Sequence, residues 1–351
     1  MALMRYRRLV ISFIALMSIF VGTNYVIWKS VTEDLITDRH YDGGDLSRMG
    51  YVPRSKMYRH NIVDLPRRHT ELQDYDGRHV DIVTVGDSFS NGGGGGYNRF
   101  YQDYIASYDN FDVLNINPPK ELDFISTISI LLNNGFLKQA QPRYVLIGAT
   151  EIGWQEWSQQ IDFEQNKSMT DLAKLPLRNN FGKLPHVSVM NNGNIKFLLF
   201  SMLYRFSDNA VFSKVYKTTL TKQLFSVPDE NKLLYLPYRH IPSSMDIERL
   251  NQNLNELSDR LNSSGIRLIF MPFPDKYTLY ARWIENKKFP ESQFFEYLRP
   301  LPKHYLFIDT KALLQDALER NVKDVYYADD THSSWKASEK IFSTLHFNGR
   351  R

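Results

Sequence analysis

The chain of 351 residues contains no cysteine, which excludes a disulfide framework and any thiolate metal site, Cys-His zinc chemistry included. That composition suits a bacterial periplasm without requiring one. A usable excess of positive charge is also missing. The formal net charge is +4, and Arg5, Arg7, Arg8 and Lys29 supply all of it, leaving residues 30–351 with 39 basic against 39 acidic side chains. A nucleic-acid-binding domain needs basic charge clustered on its folded part, so no nucleic-acid partner is expected. Internal repeats are absent, and the single low-complexity tract is the glycine run Gly92 to Gly96. No motif asks for a metal or a cofactor. What remains is an ordinary globular composition, 42% hydrophobic and 23% charged, sufficient to bury a core without staples.

One stretch is free of charged side chains over the thickness of a bilayer. Leu9 to Trp28, LVISFIALMSIFVGTNYVIW, would make about 30 Å of helix at 1.5 Å per residue. Arg5, Arg7 and Arg8 precede it and only Lys29 follows closely, so the positive-inside bias leaves the N-terminus in the cytoplasm and the rest of the chain outside. A cleavable signal peptide is the alternative, but the run exceeds the usual signal core and no small-x-small site follows it cleanly. The expected organisation is a cytoplasmic 1–8, a single-pass anchor at 9–28 in a bacterial inner membrane, a spacer and entry segment at 29–78, and a periplasmic or extracellular domain at 79–351.

From Val80 onward, apolar runs alternate with helical patterns: VDIVTV, FDVLNIN, RYVLIGA, IRLIFMPF and HYLFIDT. Such alternation predicts an α/β domain with a central five-stranded parallel sheet. The clearest helix has Ile247, Leu250, Leu254, Leu257 and Leu261 on one face, with Ser244 as its expected cap and Gly265 as its end. Residues 152–241, weakly periodic apart from IKFLLFSMLYRF, are expected to be an insertion around the site.

The stretch VGDSFSNGGGGGYNR ends the first of these strands. A phosphate loop would need GxxxxGK and then Ser or Thr, whereas Tyr97, Asn98 and Arg99 follow the glycines. A dinucleotide fingerprint needs GxGxxG directly after the strand, but DSFSN intervenes. An α/β-hydrolase elbow needs GxSxG, and position 90 is serine. What survives is Ser88 at the carboxyl end of a parallel strand, where open α/β sheets place their ligands; read alone, Gly-Asp-Ser could equally be a flexible turn. Of the nine histidines, His40, His60, His69 and His79 precede the domain and read as surface residues. His332, in VYYADDTHSSWKASEKI, has Asp329 and Asp330 three and two residues before it. Either carboxylate could bond one ring nitrogen while the other nitrogen addresses a serine, the arrangement general-base catalysis requires. A helix is expected from Ser334 onward.

With Gly86-Asp87-Ser88 and Asp329 to His332 in place, the chain resembles the SGNH (GDSL-like) hydrolase superfamily, whose serine lies in an N-terminal GDS block and whose Asp and His lie in a C-terminal DxxH block. More narrowly, GDSFS, MPFPDKYTLY and VYYADDTHSSW look like the AlgJ/AlgX-type polysaccharide O-acetyltransferases. The likeness spans Val80 to about Phe347, apart from the insertion. It implies a three-layer SGNH-like (flavodoxin-like) fold and a domain that takes acetyl onto Ser88 and passes it to a sugar hydroxyl. Superfamily spacing makes Asp329 the orienting acid, alginate-type spacing makes it Asp330, and Asp329 is the first choice. Three features depart from the pattern. The serine block precedes the histidine block, unlike the alginate enzymes. The tryptophan stands at Trp335 rather than beside His332. The GxND oxyanion block would fall at Gly148 to Glu151, with no asparagine.

An oxyanion donor contributes a rate factor of about 100 to 1000, so replacements are expected: the backbone N–H of Ser88, one from the glycines (Gly92 or Gly93), and the side chain of Thr150. Trp154, Trp157 and Trp335 could stack on sugar rings or form part of the core; Lys276, in PFPDKY, is given no chemistry. The expected function is a membrane-anchored serine O-acyltransferase with a polysaccharide acceptor and an acyl donor delivered by a multispanning membrane acyltransferase. Its rivals are a carbohydrate esterase with the same triad and a noncatalytic glycan-binding assembly protein.

Overall fold

The computed structural model describes residues 2–33, 44–52, 59, 63–178, 188–227, 231–238 and 240–347; His40 and His60 lie outside them. The chain opens with helix α1, Ala2–Ile27, continued by a π-helical turn over Trp28–Thr32. Within Met4–Thr32 an 18-residue window reaches a mean hydropathy of 2.0, and Leu9, Phe13, Leu16 and Phe20 stand exposed. This helix is long and apolar enough to cross a membrane.

The domain is α/β. Its sheet has six parallel strands, β1 (Thr70–Glu71), β2 (Ile82–Gly86), β3 (Val113–Ile116), β4 (Tyr144–Thr150), β7 (Arg267–Phe273) and β8 (Leu306–Phe307), in the spatial order β1-β3-β2-β4-β7-β8. Five were expected. The sixth, β1, is a two-residue edge in the segment taken for a spacer, too short to leave a periodic signal and identified only by its pairing with Leu114 and Asn115. Two further strands among the described residues, β5 (Tyr216–Thr219) and β6 (Lys232–Tyr235), form an antiparallel pair within the insertion.

Side-chain alternation builds two cores. Ile82, Tyr144, Leu146, Ile269 and Met271 face one layer, with helices α3 (Tyr101–Tyr108), α7 (Thr310–Glu319) and α8 (Trp335–Thr344). Val83, Val85, Val145, Ile147, Leu268 and Phe270 face the other, with α4 (Phe124–Asn133) and α6 (Ser244–Asn262). Strands buried on both faces read as continuous apolar runs, which is why they were conspicuous. In α6 the expected face is buried, each leucine contributing about 1.5–3 kcal/mol of transfer free energy. Its cap is Ser243, not Ser244: Ser243 and Asp246 exchange hydrogen bonds in a capping box. Ser334 caps α8.

Without its edge strand the sheet runs β3-β2-β4-β7-β8, an order in which the chain leaves β2 toward one side and returns to the other. The crevice beyond the carboxyl ends of β2 and β4 is that switch point. Ser88 lies two residues beyond the end of β2.

Candidate active site

β2 and β4 meet through two glycines. Gly86 pairs with Gly148, and a Cβ at Gly86 would lie 2.0 Å from the Gly148 carbonyl oxygen and 2.2 Å from Ser90 Oγ. That close approach lets the Ser90 hydroxyl donate to Gly148 O at 2.6 Å, beside Tyr101 Oη at 2.9 Å. Asp87 ties the turn down. One carboxylate oxygen accepts from Phe89 N (2.9 Å), the other from Thr150 N (2.8 Å) and Thr150 Oγ1 (2.9 Å). The hydroxyl of Thr150 is therefore engaged by Asp87, and the expectation that it helps form an oxyanion site is corrected. Behind the turn, Gln102 Nε2 donates to Ser90 O at 2.8 Å, and Asn115 Nδ2 donates to Asn91 Oδ1 at 3.1 Å. Ser88 thus projects from a braced loop.

His332 reaches it from the other end of the chain. Its Nε2 lies 2.6 Å from Ser88 Oγ, and its Nδ1 lies 2.6 Å from Asp330 Oδ1. Hydrogen-bond geometry assigns the Nδ1 proton to the carboxylate side, leaving Nε2 to accept from the serine. The acid on the ring is Asp330; the preference for Asp329 is corrected. Asp329 is turned away into a two-pronged ion pair with Arg59, at 2.8 Å and 3.2 Å. Asp330 also accepts from the backbone N–H of His332 (2.9 Å), Asp45 (3.2 Å) and Gly44, with Arg59 at 3.5 Å. Burial opposes its charge, but His332 and Arg59 outweigh that and hold its carboxyl well below the usual carboxylate range. Burial likewise works against protonated His332, yet Asp330, by charge and hydrogen bond, raises the imidazole to about 8.

Several of these groups come from the segment read as a spacer. Helix α2, Asp45–Gly50, starts at Gly44, whose φ of +80° is the left-handed conformation glycine adopts without strain. Asp45 accepts from the Thr331 amide at 2.8 Å and from its hydroxyl, and lies 3.8 Å from His332 Nδ1. Burial first and Asp330 second push the Asp45 carboxyl up to about 6. Arg59 links both loops, donating to Gly94 O at 3.2 Å while pairing with Asp329. Lys276 Nζ, buried, donates to the carbonyls of Tyr327 (2.6 Å), Ala328 (2.9 Å) and Asp330 (2.9 Å). It is the strut of the DDTH loop, and burial pushes its ammonium down to about 7 against Asp329 and Asp330. No local pattern marked Arg59, Gly44 or Asp45. His69 was read as a surface residue; it is instead buried between Asp103 (2.7 Å) and Glu71 (3.0 Å). Those two carboxylates override burial and raise it to about 9.

The glycine run is the floor of the histidine. A Cβ on Gly93 would lie 2.4 Å from His332 Nε2, and one on Gly94 would lie 2.9 Å from the Tyr327 ring and 3.1 Å from His332 Cβ. Gly93 N–H donates to Ser88 O at 2.8 Å, so it is engaged within the loop, and its expected oxyanion role is corrected. Gly93→Ala should consequently push the imidazole off Ser88. We expect acylation of Ser88 to slow by about 100-fold or more, the scale of a 1 Å misplacement, with the thermal melt close to that of the parent. Burst kinetics with an activated ester would measure it, and an unchanged burst would refute the packing argument.

The tryptophans divide differently from expectation. Trp154 is buried with its indole N–H on the His240 carbonyl at 3.2 Å, and Trp157 packs on Phe124 and Phe270. Both belong to the core rather than to an open stacking surface, which corrects the sugar-binding expectation for Trp154. Trp335 is half-buried at the start of α8. Asp45, Asp330 and His332 offer ligand atoms within 4.8 Å of one another, as a cation site would, but Asp330 Oδ1 already accepts from His332 and Asp45 from Thr331. No protein-family model matches the chain, and no curated protein matches it.

Proposed function

We propose that the chain is a membrane-anchored serine O-acyltransferase with an SGNH-like fold, moving acetyl groups onto an exported polysaccharide on the periplasmic or extracellular side of a bacterial inner membrane. The observation that carries the reading is the continuous relay Ser88 Oγ, His332 Nε2, His332 Nδ1, Asp330 Oδ1, with 2.6 Å at both junctions. It is the geometry of an activated nucleophile with an oriented base.

In the first half-reaction Ser88 Oγ attacks the acyl carbonyl as His332 Nε2 takes its proton. The donor's C–O bond breaks, and the leaving oxygen receives that proton, giving acyl-Ser88. In the second, a sugar hydroxyl gives its proton to Nε2 and attacks the ester; Ser88 Oγ leaves and is reprotonated. Asp330 holds the ring and stabilises the imidazolium formed in each half. The backbone N–H groups of Ser88 and Gly92 are the donors we assign to the developing oxyanion. A multispanning membrane acyltransferase would supply the acyl donor.

The test uses full-length protein in detergent with an activated acetyl ester and a soluble glycan. We expect acetyl on the Ser88 peptide by mass spectrometry and acetylated glycan that increases with glycan concentration. Hydrolysis without acetylated glycan at every concentration would make the protein an esterase. Absence of any acyl-Ser88 would leave only the noncatalytic reading.

A further inference from the structure

We propose that one face of helix α5, Asn192–Leu203, with the loop that follows it, is seated in the interfacial region of the bilayer that α1 crosses. The inference rests on α1 spanning that bilayer and is independent of the acyl-transfer reading.

Ile195, Leu198, Leu199 and Met202 recur at three- and four-residue steps, so they share one face, and all four are exposed; Phe206 and Phe212 beyond them are 83% and 71% exposed. The opposite side holds the helix to the protein: Phe200 is buried and meets Tyr51 edge-on at 5.4 Å. An apolar face turned outward and a packed face turned inward suit a segment whose outer neighbour is not water.

The anchor says what that neighbour is. Asn194, buried in the first turn of α5, donates from Nδ2 to Asn24 O (3.3 Å) and Asn24 Oδ1 (3.2 Å), and its Oδ1 accepts from the Thr32 hydroxyl. Asn24 and Thr32 bracket the end of the uncharged run at Trp28, where the helix leaves the hydrocarbon. Eight residues are about 12 Å of helix, so α5 begins at the level of the interface. Helices lying there bury their apolar side about 5–10 Å into the headgroup and acyl boundary. Arg205 and Lys214, both exposed, flank the face where lipid phosphates would be. The seated segment also backs onto α2: Gly50 packs against Val215 and Tyr204, whose hydroxyl donates to Val215 O at 2.9 Å. The helix whose first turn holds Asp330 thereby rests on the part of the domain nearest the membrane.

The absence of cysteine makes site-directed spin labelling direct. Full-length Leu16→Cys, Leu198→Cys, Met202→Cys and Glu256→Cys variants would be labelled and reconstituted in vesicles of phosphatidylethanolamine and phosphatidylglycerol. Collision with oxygen, which concentrates in lipid, is compared with collision with a water-soluble nickel chelate. We expect oxygen contact to exceed nickel contact at 16, 198 and 202, and the order to reverse at 256, on the exposed side of α6. Nickel contact at 198 and 202 equal to that at 256, with 16 in lipid, overturns the proposal and leaves the anchor standing. Both reagents excluded at 198 and 202 would show a second copy on this face and also overturn it. Position 16 in water would remove the anchor and the proposal together.

Discussion

Ser88→Ala is expected to lower the turnover of an acyl ester by about a million-fold, His332→Ala by a similar factor, and the double variant by scarcely more, because a nucleophile and its base act as one unit. Ser88 alone is a weak nucleophile; in the proposed mechanism it attacks because Nε2 at 2.6 Å takes its proton as the new bond forms. Removing either partner removes the same step. Steady-state hydrolysis of an activated ester and the yield of acyl-Ser88 measure the effect. Ser88→Ala should not unfold the protein, since Ser88 is half-exposed on a turn held by Asp87 and Asn91. Additive losses would mean that serine and histidine work separately, and retained turnover in Ser88→Ala would sink the covalent mechanism.

The second large effect separates two neighbouring aspartates. Asp330→Asn should cost about 10^4-fold in kcat, the size of loss seen when a relay acid is neutralised and the histidine takes the wrong tautomer. Asp329→Asn should leave the relay intact and show mainly as a lower melting temperature, because Asp329 pairs with buried Arg59 and not with the ring. The pH dependence supplies an independent check. Only neutral His332 can accept the proton, so kcat/KM of the parent should rise with pH through about 8. Asp330 is what lifts the imidazole against burial, so the residual activity of Asp330→Asn should titrate at lower pH. The same shift sets a stability term of opposite sense. His332 binds its proton more tightly folded than unfolded, so its contribution is complete below about 6.5, the ordinary value for histidine, and is lost as pH rises through about 8. Loss of activity in Asp329→Asn with full activity in Asp330→Asn would reverse the assignment.

How much of this could be read along the chain depended on whether the deciding interaction was local. The membrane-length run, the α/β alternation and the apolar face of α6 are properties of neighbouring residues, since burial of a strand or a helix face imposes a period of its own. Ser88 and His332 were also legible: each block carries a short local pattern, and together the two patterns implied a meeting across 244 residues, at 2.6 Å.

The remainder needed the fold. Asp329 and Asp330 are adjacent, and their order says nothing about which faces the ring; Arg59, 270 residues from Asp329, claims one, and the amides of Gly44 and Asp45 hold the other. The glycines looked like donors, yet Gly93 is bare because the His332 ring occupies the space a side chain would need. Composition likewise marked α5 as apolar, but only its packing through Asn194 on Asn24 and through Phe200 on Tyr51 decided that the apolar face turns outward. The chain order therefore determined the main elements, the membrane-length helix and the two blocks that carry Ser88 and His332, through interactions within a few residues. Which acid serves the histidine, what the glycines accommodate and which way the apolar face of α5 turns were decided in the tertiary structure, because each depends on a partner that is remote in sequence and adjacent only after folding.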